Sequence, residues 1–324
     1  MNVDSLIWVA AGIAGTGALL ALVGYLKREP LPMNDTTRKR ARGSFLRLSQ
    51  GTTHYLEEGP TDGDAVILVP GATLSLWIWD GLAERLAAAG YRVVRYDLLG
   101  RGYSDRPKIV YGPDTFDRQL EDLLAALKVR APVHLVGLAF GCPIIAEFAR
   151  RHPSLVKQLC LLAPDGFGVA LSSSNRLVHL PLIGPYFFRL VGDKTLERRL
   201  AAYSPDPAVI ERVRAQYLPE LKFKGFKRAL LSSIRNMPIH DARSLYHKVD
   251  ALLKTTLIWG KADRVTPMPD QSELLQVFPR ADRHFLDGMG HLPHHEQPDL
   301  TAKLVLTALR GDAAVGASIK QAFA

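Results

Sequence analysis

Short apolar runs alternate with helix-length amphipathic segments along most of the chain. Ala65–Val69 is apolar at every position, which is typical of a strand buried on both faces. Strands that alternate with helices of this length form a parallel sheet covered on both sides, so the pattern predicts an α/β core. The predicted strands are Phe45–Leu48, Thr53–Leu56, Ala65–Val69, Arg92–Tyr96, the apolar run after Pro132, Val156–Leu162, Thr255–Trp259 and Arg283–Leu286. The predicted core helices are Gly81–Ala89, Thr115–Leu127, Phe140–Arg151, Asp270–Val277 and Pro298–Leu309.

The alternation is interrupted between the sixth and seventh predicted strands. Residues 168–247 contain helical patterns without a convincing buried strand, and we interpret them as a helical cap over the carboxyl edge of the sheet, where open parallel sheets bind ligands. The core is then 44–167 and 248–311, and 312–324 is a tail. The helices predicted in the cap are Leu177–Leu190, Thr195–Tyr203, Pro207–Leu218 and Phe223–Asn236.

The N-terminal region, 1–43, has the pattern of a membrane anchor and a basic linker. Leu6–Leu26 is a run of 21 uncharged residues, close to the ~20 that cross a bilayer as a helix. Lys27–Arg42 then carries six basic and two acidic residues. By the positive-inside tendency this flank stays cytoplasmic. The sequence therefore predicts a single transmembrane helix in contact with membrane lipid, and a catalytic domain on the cytoplasmic side.

Composition narrows the class of protein. The net charge is +9, but the basic linker supplies almost half of it, and no aromatic-plus-basic recognition module appears, so nucleic-acid binding is not expected. The two cysteines, Cys142 and Cys160, show no metal or disulfide spacing, and we interpret them as small buried hydrophobes. The sequence shows no cluster of metal ligands, and we expect neither a metal nor a cofactor.

A sharp strand-to-helix turn is predicted at Gly137-Leu138-Ala139-Phe140-Gly141. Glycines on both sides allow a strand and a helix to approach closely around a strained central residue. The pattern resembles the nucleophile elbow Gly-x-Ser-x-Gly of the α/β-hydrolase superfamily. Here alanine occupies the position where that motif has its serine. Ala139 has no hydroxyl, and its methyl group cannot attack a carbonyl.

Two later segments strengthen the resemblance. Leu257–Pro267 resembles the acid segment of the superfamily and contains Asp263, and Asp287–Pro293 resembles its histidine loop and contains His291. Nucleophile position, acid and histidine follow in the chain order of α/β-hydrolases. The resemblance extends from Ser44 to about Leu309, and it is greatest to monoacylglycerol-lipase-like and small-ester carboxylesterases. It implies hydrolysis of a carboxylic ester of an apolar acyl or aromatic substrate, without a cofactor, with Asp263 as acid and His291 as base.

Other residues compete for these roles. His294 and His295 lie close to His291 but follow Pro293 rather than the Gly290 turn, and we rank them lower as the base. Asp165, after the preceding strand, is a lesser alternative for the acid.

The resemblance also implies an oxyanion hole made of backbone amides. Its donors would be Phe140, after the nucleophile position, and Ala72, in the loop after the first buried strand. The Pro70-Gly71-Ala72 sequence has proline where relatives have histidine. Gly100–Asp105 lacks the lysine and spacing of a phosphate-binding loop, and we interpret it as a structural turn beneath the site.

Ala139 leaves two interpretations of the function. One is a serine esterase with its nucleophile replaced by alanine, and the other is a natural pseudo-hydrolase that binds a hydrophobic ligand at the membrane. The retained acid and histidine favour the first. Carbon–carbon bond hydrolases share the same triad, so they remain an alternative. We expect the chain as written to lack normal acyl-enzyme turnover. An excess of basic residues between Arg189 and Arg228 also suggests that the cap lies near an anionic bilayer.

Overall fold

The structure is a computed structural model that describes residues 29–168, 180 and 183–311, together with 5, 8, 12, 14–19, 22 and 23. Its described part contains an eight-stranded sheet with the strand order β1-β2-β4-β3-β5-β6-β7-β8. The pairs β1–β2 and β2–β4 are antiparallel, and the pairs from β3–β4 to β7–β8 are parallel. The strands are β1 (Ser44–Leu48), β2 (Gly51–Glu58), β3 (Ala65–Val69), β4 (Arg92–Tyr96), β5 (Val133–Leu138), β6 (Val156–Leu162), β7 (Lys254–Gly260) and β8 (Asp282–Leu286).

Helices follow most of the strands and cover both faces of the sheet. The α-helices of the described residues are α1 (Asp35–Arg38), α2 (Leu82–Ala88), α3 (Pro113–Ala126), α4 (Gly141–Arg151), α5 (Ile183–Leu200), α6 (Pro207–Glu220), α7 (Phe226–Asn236), α8 (Arg243–Leu252), α9 (Gln271–Val277), α10 (Pro293–Glu296) and α11 (Pro298–Arg310). Short 3-10 helices occur at Leu76–Trp79 and Pro153–Leu155.

The central strands have buried side chains on both faces, as the apolar runs predicted. Every residue of β3, β4 and β5 is buried. Alternate residues of β3 belong to two apolar clusters: Ile67 and Val69 lie on the side of α3, α4 and α8, whereas Val66 and Leu68 lie on the side of α2 and α11. The α/β core with a mostly parallel sheet is confirmed.

The helices between β6 and β7 differ from the predicted pattern in detail. The two segments predicted at Leu177–Leu190 and Thr195–Tyr203 correspond to one helix, α5, within the described residues. The helix α8 was not predicted. It packs against α4, and its buried residues Tyr246 and Val249 join the same apolar cluster as α4. That this helical segment acts as a cap over a ligand site remains a prediction.

The predicted transmembrane anchor is contradicted. In the part of the chain that the structure describes, no helix is both long enough and apolar enough to cross a bilayer. The predicted localisation, with a cytoplasmic domain held by one membrane-spanning helix, is wrong on this finding. Most of Leu6–Leu26 lies outside the described residues, and so does the predicted tail, 312–324, which begins one residue after Gly311.

Candidate active site

Ala139 lies at the turn between β5 and α4 in a left-handed conformation, with φ of 48°. A non-glycine residue rarely adopts such a φ unless its surroundings enforce it. The glycines on either side make the turn possible. A Cβ on Gly141 would lie 2.3 Å from the carbonyl oxygen of Val69, and a Cβ on Gly137 would lie 2.9 Å from the amide nitrogen of Cys142. The strained elbow predicted from the sequence is therefore present.

Asp263 and His291 lie in hydrogen-bond contact, each in the loop after one of two neighbouring strands. Asp263 follows β7 and His291 follows β8, and both side chains are buried. His291 Nδ1 is 2.8 Å from Asp263 Oδ2. Because a carboxylate only accepts hydrogen bonds, this contact places the imidazole proton on Nδ1 and leaves Nε2 free to take a proton. Nε2 has no hydrogen-bond partner within the described ranges.

The carboxylate of Asp263 is held by donors on both oxygens. Oδ1 accepts from the amides of Val265 at 2.7 Å and Thr266 at 3.0 Å. The Thr266 hydroxyl lies 2.8 Å from Oδ2. Burial alone would raise the pKa of Asp263, but the neighbouring His291 and the hydrogen bonds from His291 and Thr266 outweigh it and hold the pKa below its ordinary value. The acid therefore stays ionised beside the histidine.

The loop that carries His291 is fixed from two sides. Glu296 accepts from the amide of Gly290 at 2.7 Å. The amide of His291 donates to the carbonyl of Tyr203 at 2.9 Å, and the two rings lie 5.4 Å apart. Tyr203 follows α5, so the helical segment between β6 and β7 lies directly against the histidine.

The turn after β6 connects the elbow to the acid. The amide of Asp165 donates to the carbonyl of Ala139 at 3.2 Å, and the Thr266 hydroxyl lies 3.0 Å from the carbonyl of Ala163. Four neighbouring strands, β5 to β8, therefore bring the predicted site residues to one edge of the sheet. Asp165 does not contact the histidine as Asp263 does, and burial raises its pKa.

The two competing histidines are engaged elsewhere. His294 Nε2 and His295 Nε2 lie 2.9 Å and 2.7 Å from the same acceptor, the carbonyl of Ile78. Burial lowers the pKa of both rings, and it brings the pKa of His294 well below its ordinary value. Both are therefore neutral donors to a main-chain oxygen, a geometry that does not suit a general base at the elbow.

The two predicted oxyanion donors lie on the segments expected. Phe140 directly precedes α4, and Ala72 belongs to the loop after β3. A Cβ on Gly71 would lie 3.9 Å from Ala139 Cβ, so this loop runs beside the elbow. Neither the Ala72 amide nor the Phe140 amide has an acceptor among the residues that the structure describes. Both N–H groups are therefore free to meet an oxyanion.

Arg101 joins these two segments, which the sequence did not indicate. It is fully buried, and it has no carboxylate partner in the described part of the chain. Its Nε donates to the carbonyl of Ala72 at 2.6 Å, and its guanidinium carbon lies 5.8 Å from the centre of the Phe140 ring. A third contact, to Ser233 Oγ at 2.9 Å, reaches α7. Burial lowers the pKa of Arg101 to about 10, so the group stays cationic at neutral pH.

The rest of the turn Gly100–Asp105 is structural, as predicted. A Cβ on Gly102 would lie 2.0 Å from Asp97 Oδ2, so only glycine allows the turn to close on that carboxylate. Asp97 in turn accepts from the amides of Leu76 at 2.7 Å and Tyr103 at 2.8 Å. The carboxylate therefore ties this turn to the loop that carries Ala72.

Cys142 does not substitute for the missing hydroxyl. It is fully buried, and its Sγ lies 3.2 Å from the carbonyl of Gly137, behind the turn. Burial raises the pKa of the thiol well above its ordinary value. The thiolate needed for attack is therefore not formed near neutral pH. Over the described residues, no group of three or more His, Cys, Asp or Glu side chains could hold a metal ion.

The chain belongs to the alpha/beta hydrolase fold family, whose model matches residues 64–298. A 2-hydroxy-6-oxononadienedioate/2-hydroxy-6-oxononatrienedioate hydrolase of Comamonas testosteroni is 24% identical over 283 residues, which are 85% of this chain and 96% of the relative. Lipase 3 of a Moraxella species is 25% identical over 254 residues, or 76% and 78% of the two chains. The crystal structure of a membrane phospholipase A, a bacterial virulence factor, has a TM-score of 0.64 and 25% identity, and the match covers 95% of this chain and 96% of that one.

Proposed function

We propose that this architecture serves hydrolysis of a carboxylic ester with an apolar acyl group, and that alanine at the nucleophile position stops turnover in this chain. The observation that carries the proposal is the buried His291–Asp263 pair, 2.8 Å apart, at the same sheet edge as the strained Ala139 turn. A catalytic histidine needs an acid that fixes its tautomer and stabilises its charged form. Asp263 has the position and the ionisation state for that role.

In a form with serine at 139, the reaction would proceed by acyl transfer. His291 Nε2 takes the proton from the serine Oγ as Oγ bonds to the ester carbonyl carbon, and the amides of Ala72 and Phe140 receive the oxyanion. His291 then gives the proton to the leaving alkoxide as the carbon–oxygen bond breaks. Water attacks the acyl-enzyme by the same steps and releases the carboxylic acid.

The apolar acyl substrate is supported by the relatives and by the residue types at the site. A lipase and a membrane phospholipase A are among the similar proteins. The side chain of Tyr203 lies beside the histidine, with the two rings 5.4 Å apart, and it is buried. We extend ester cleavage to this chain on that basis.

Carbon–carbon bond hydrolysis is the second candidate, because a relative is named a hydrolase of 2-hydroxy-6-oxo acids. It uses the same acid and histidine, so the geometry of the triad does not separate the two reactions. The third candidate function is that of a pseudo-hydrolase, which binds an apolar ligand without cleaving it.

Restoring the hydroxyl tests these alternatives. We expect Ala139→Ser to hydrolyse p-nitrophenyl esters of short and medium chain length and to be labelled by a fluorophosphonate probe, whereas the parent chain does neither. Turnover of a 2-hydroxy-6-oxo dienoate without ester turnover would favour the carbon–carbon reaction. A folded Ala139→Ser protein that takes no probe and cleaves neither substrate would establish the pseudo-hydrolase. The double variant Ala139→Ser/His291→Ala is the matched control.

A further inference from the structure

A groove of about 570 Å³ lies where the core meets the helices between β6 and β7. We call it the basic groove. It is lined by six basic side chains and two acidic ones, so it carries an excess of four positive charges. The basic residues are Arg47, Arg106, Lys108, Arg189, Lys224 and Arg228, and the acidic residues are Glu29 and Asp105.

Both acidic side chains of the basic groove are already engaged. Glu29 accepts from the amides of Gly225 and Lys227, each at 2.6 Å, at the N-terminal end of α7. Asp105 accepts from the amide of Thr52 at 2.7 Å and pairs with Arg38. These contacts neutralise a helix end and a half-buried arginine, and Asp105 also pairs with the exposed Arg47 at 3.5 Å. Little negative charge remains for the other cations of the groove.

Three of the basic side chains have no counter-charge. Lys108, Arg189 and Lys224 form no ion pair in the part of the chain that is described, and all three residues are exposed. Arg228 donates to the main-chain carbonyls of Arg106 at 2.7 Å and Pro107 at 2.9 Å, which fix its guanidinium at the groove. Several cations held together without anions create a positive potential that favours a ligand with several negative charges.

Exposed apolar side chains accompany the basic groove. Beyond Glu29, five large apolar residues of the described chain are exposed, and three of them lie on segments that adjoin the groove. Val110 follows Lys108 in the same loop and is 63% exposed, and Ile183 opens α5, the helix of Arg189, and is 59% exposed. The carbonyl of Leu180, the third, accepts from Arg235 of α7 at 3.2 Å. Basic and apolar side chains on one surface are typical of proteins that lie on a lipid interface.

We propose that the basic groove and these three apolar residues form a surface that binds the phosphate-bearing face of an anionic lipid membrane. The lipid phosphates supply the counter-charges, and the apolar residues enter the boundary between headgroups and acyl chains. A membrane fits better than one small anion, because the cations are spread over a groove of about 570 Å³. Exposed apolar side chains, rather than further polar groups, flank these cations. The proposal is independent of the proposed function, since binding needs no turnover and is measured on the chain with Ala139.

The test compares the full chain with two triple variants of equal net charge. The first, Lys108→Gln/Arg189→Gln/Lys224→Gln, removes the unpaired cations of the groove. The second, Lys248→Gln/Lys254→Gln/Lys303→Gln, removes three exposed lysines elsewhere that form no ion pair in the described chain. Binding is measured by flotation on vesicles of phosphatidylcholine alone and on vesicles that also contain phosphatidylglycerol, at low and high salt. For each protein, the affinity for vesicles with phosphatidylglycerol is divided by the affinity for phosphatidylcholine vesicles. This ratio removes any contribution to binding that does not depend on lipid charge.

We expect the parent chain and the second variant to prefer anionic vesicles at low salt and to lose the preference at high salt. In the first variant, the ratio of affinities for anionic over neutral vesicles should be roughly 100-fold lower than in the parent, because each basic residue near an anionic leaflet contributes about five-fold. Equal loss in both variants would show only the attraction of a cationic protein and would overturn the proposal. So would equal binding to both vesicles by the parent, or full competition by inorganic phosphate at the ionic strength of the low-salt buffer, which would identify a small-anion site. Thermal unfolding of each variant checks that it is folded.

Discussion

The guanidinium of Arg101 donates to the carbonyl of Ala72 at 2.6 Å and lies against the ring of Phe140, so one buried cation holds both residues whose amides would form the oxyanion hole. The same side chain reaches Ser233 of α7. Arg101 therefore acts as a positioning residue. Its effect on the reaction passes through the two amides.

In the Ala139→Ser background, Arg101→Lys should lower kcat by about 10- to 100-fold and leave KM nearly unchanged. Loss of one oxyanion donor costs about 100- to 1,000-fold, and a displaced donor should cost less. The amides act on the transition state more than on the bound ester, which is why the loss falls on kcat. Steady-state kinetics on p-nitrophenyl esters measures the split. Ser233→Ala, which removes only the contact to α7, is the matched control and should lose less than three-fold, roughly 0.6 kcal/mol. Equal changes in both variants, or a loss in KM alone, would contradict the positioning role.

His291 should be the base in the same Ala139→Ser background. His291→Ala should lower kcat by about 10⁴-fold, because removal of a triad member leaves only the oxyanion hole and binding. His295→Ala should cost less than ten-fold, since its Nε2 donates to the carbonyl of Ile78. The ratio of the two rates decides the assignment. A greater loss at His295 than at His291 would show that the base has been assigned to the wrong residue.

The core was predictable because its signals are local. The apolar runs within β3, β5 and β6 identify buried strands, and each of them ends in a turn with glycine or a small residue. The order of the elbow, Asp263 and His291 along the chain predicted which strand ends would meet. The contact between the last two follows from β7 and β8 being neighbours.

Contacts distant in sequence were not predictable. In the sequence, Arg101 is one residue of a turn motif. Only the fold shows that its side chain bridges Ala72 and α7. Thr266 had a weak signal, since it lies three residues after Asp263, where a hydroxyl can return to the carboxylate. The helix α8 was missed because its amphipathic pattern is short, and tertiary packing against α4 stabilises it. The membrane anchor was predicted from the length and hydropathy of Leu6–Leu26. The described residues contain no helix that is long and apolar enough to span a bilayer.

The close approach of α4 to β3 should make Gly141 intolerant of even one methyl group. A Cβ there would lie 2.3 Å from the carbonyl of Val69 and 2.9 Å from that of Pro70. Both contacts are with backbone, which cannot rotate away, so we expect Gly141→Ala to lower the free energy of unfolding by about 1–3 kcal/mol. Gly71→Ala is the control, because its Cβ would meet nothing closer than 3.7 Å and should change stability by less than about 0.5 kcal/mol. Urea unfolding of both variants measures this. Equal stability would show that α4 shifts without penalty.

Glu220, at the end of α6, is a buried carboxyl that joins the helical segment to the loop after β3. One oxygen accepts from Ser75 Oγ at 2.5 Å and from Trp77 Nε1 at 2.9 Å, and the other has no partner within the described part of the chain. The groups that face it include Asp97, Arg106, His54 and Tyr103. Burial, and then the charge of Asp97, raises the pKa of Glu220 to about 8.

The raised pKa of Glu220 predicts a loss of stability as pH rises. Between the ordinary value of about 4.5 and the folded value of about 8, the folded chain holds a proton that the unfolded chain has released. The free energy of unfolding contributed by this group therefore falls across that window and levels off above it. Glu220→Gln keeps an acceptor for Ser75 and Trp77 but cannot ionise, so its Tm relative to the parent should rise steadily from about pH 5 to pH 8. Glu211→Gln, on the exposed face of the same helix, should show a difference that does not change with pH. A constant difference for Glu220→Gln as well would mean that Glu220 is already ionised in the folded chain at pH 5.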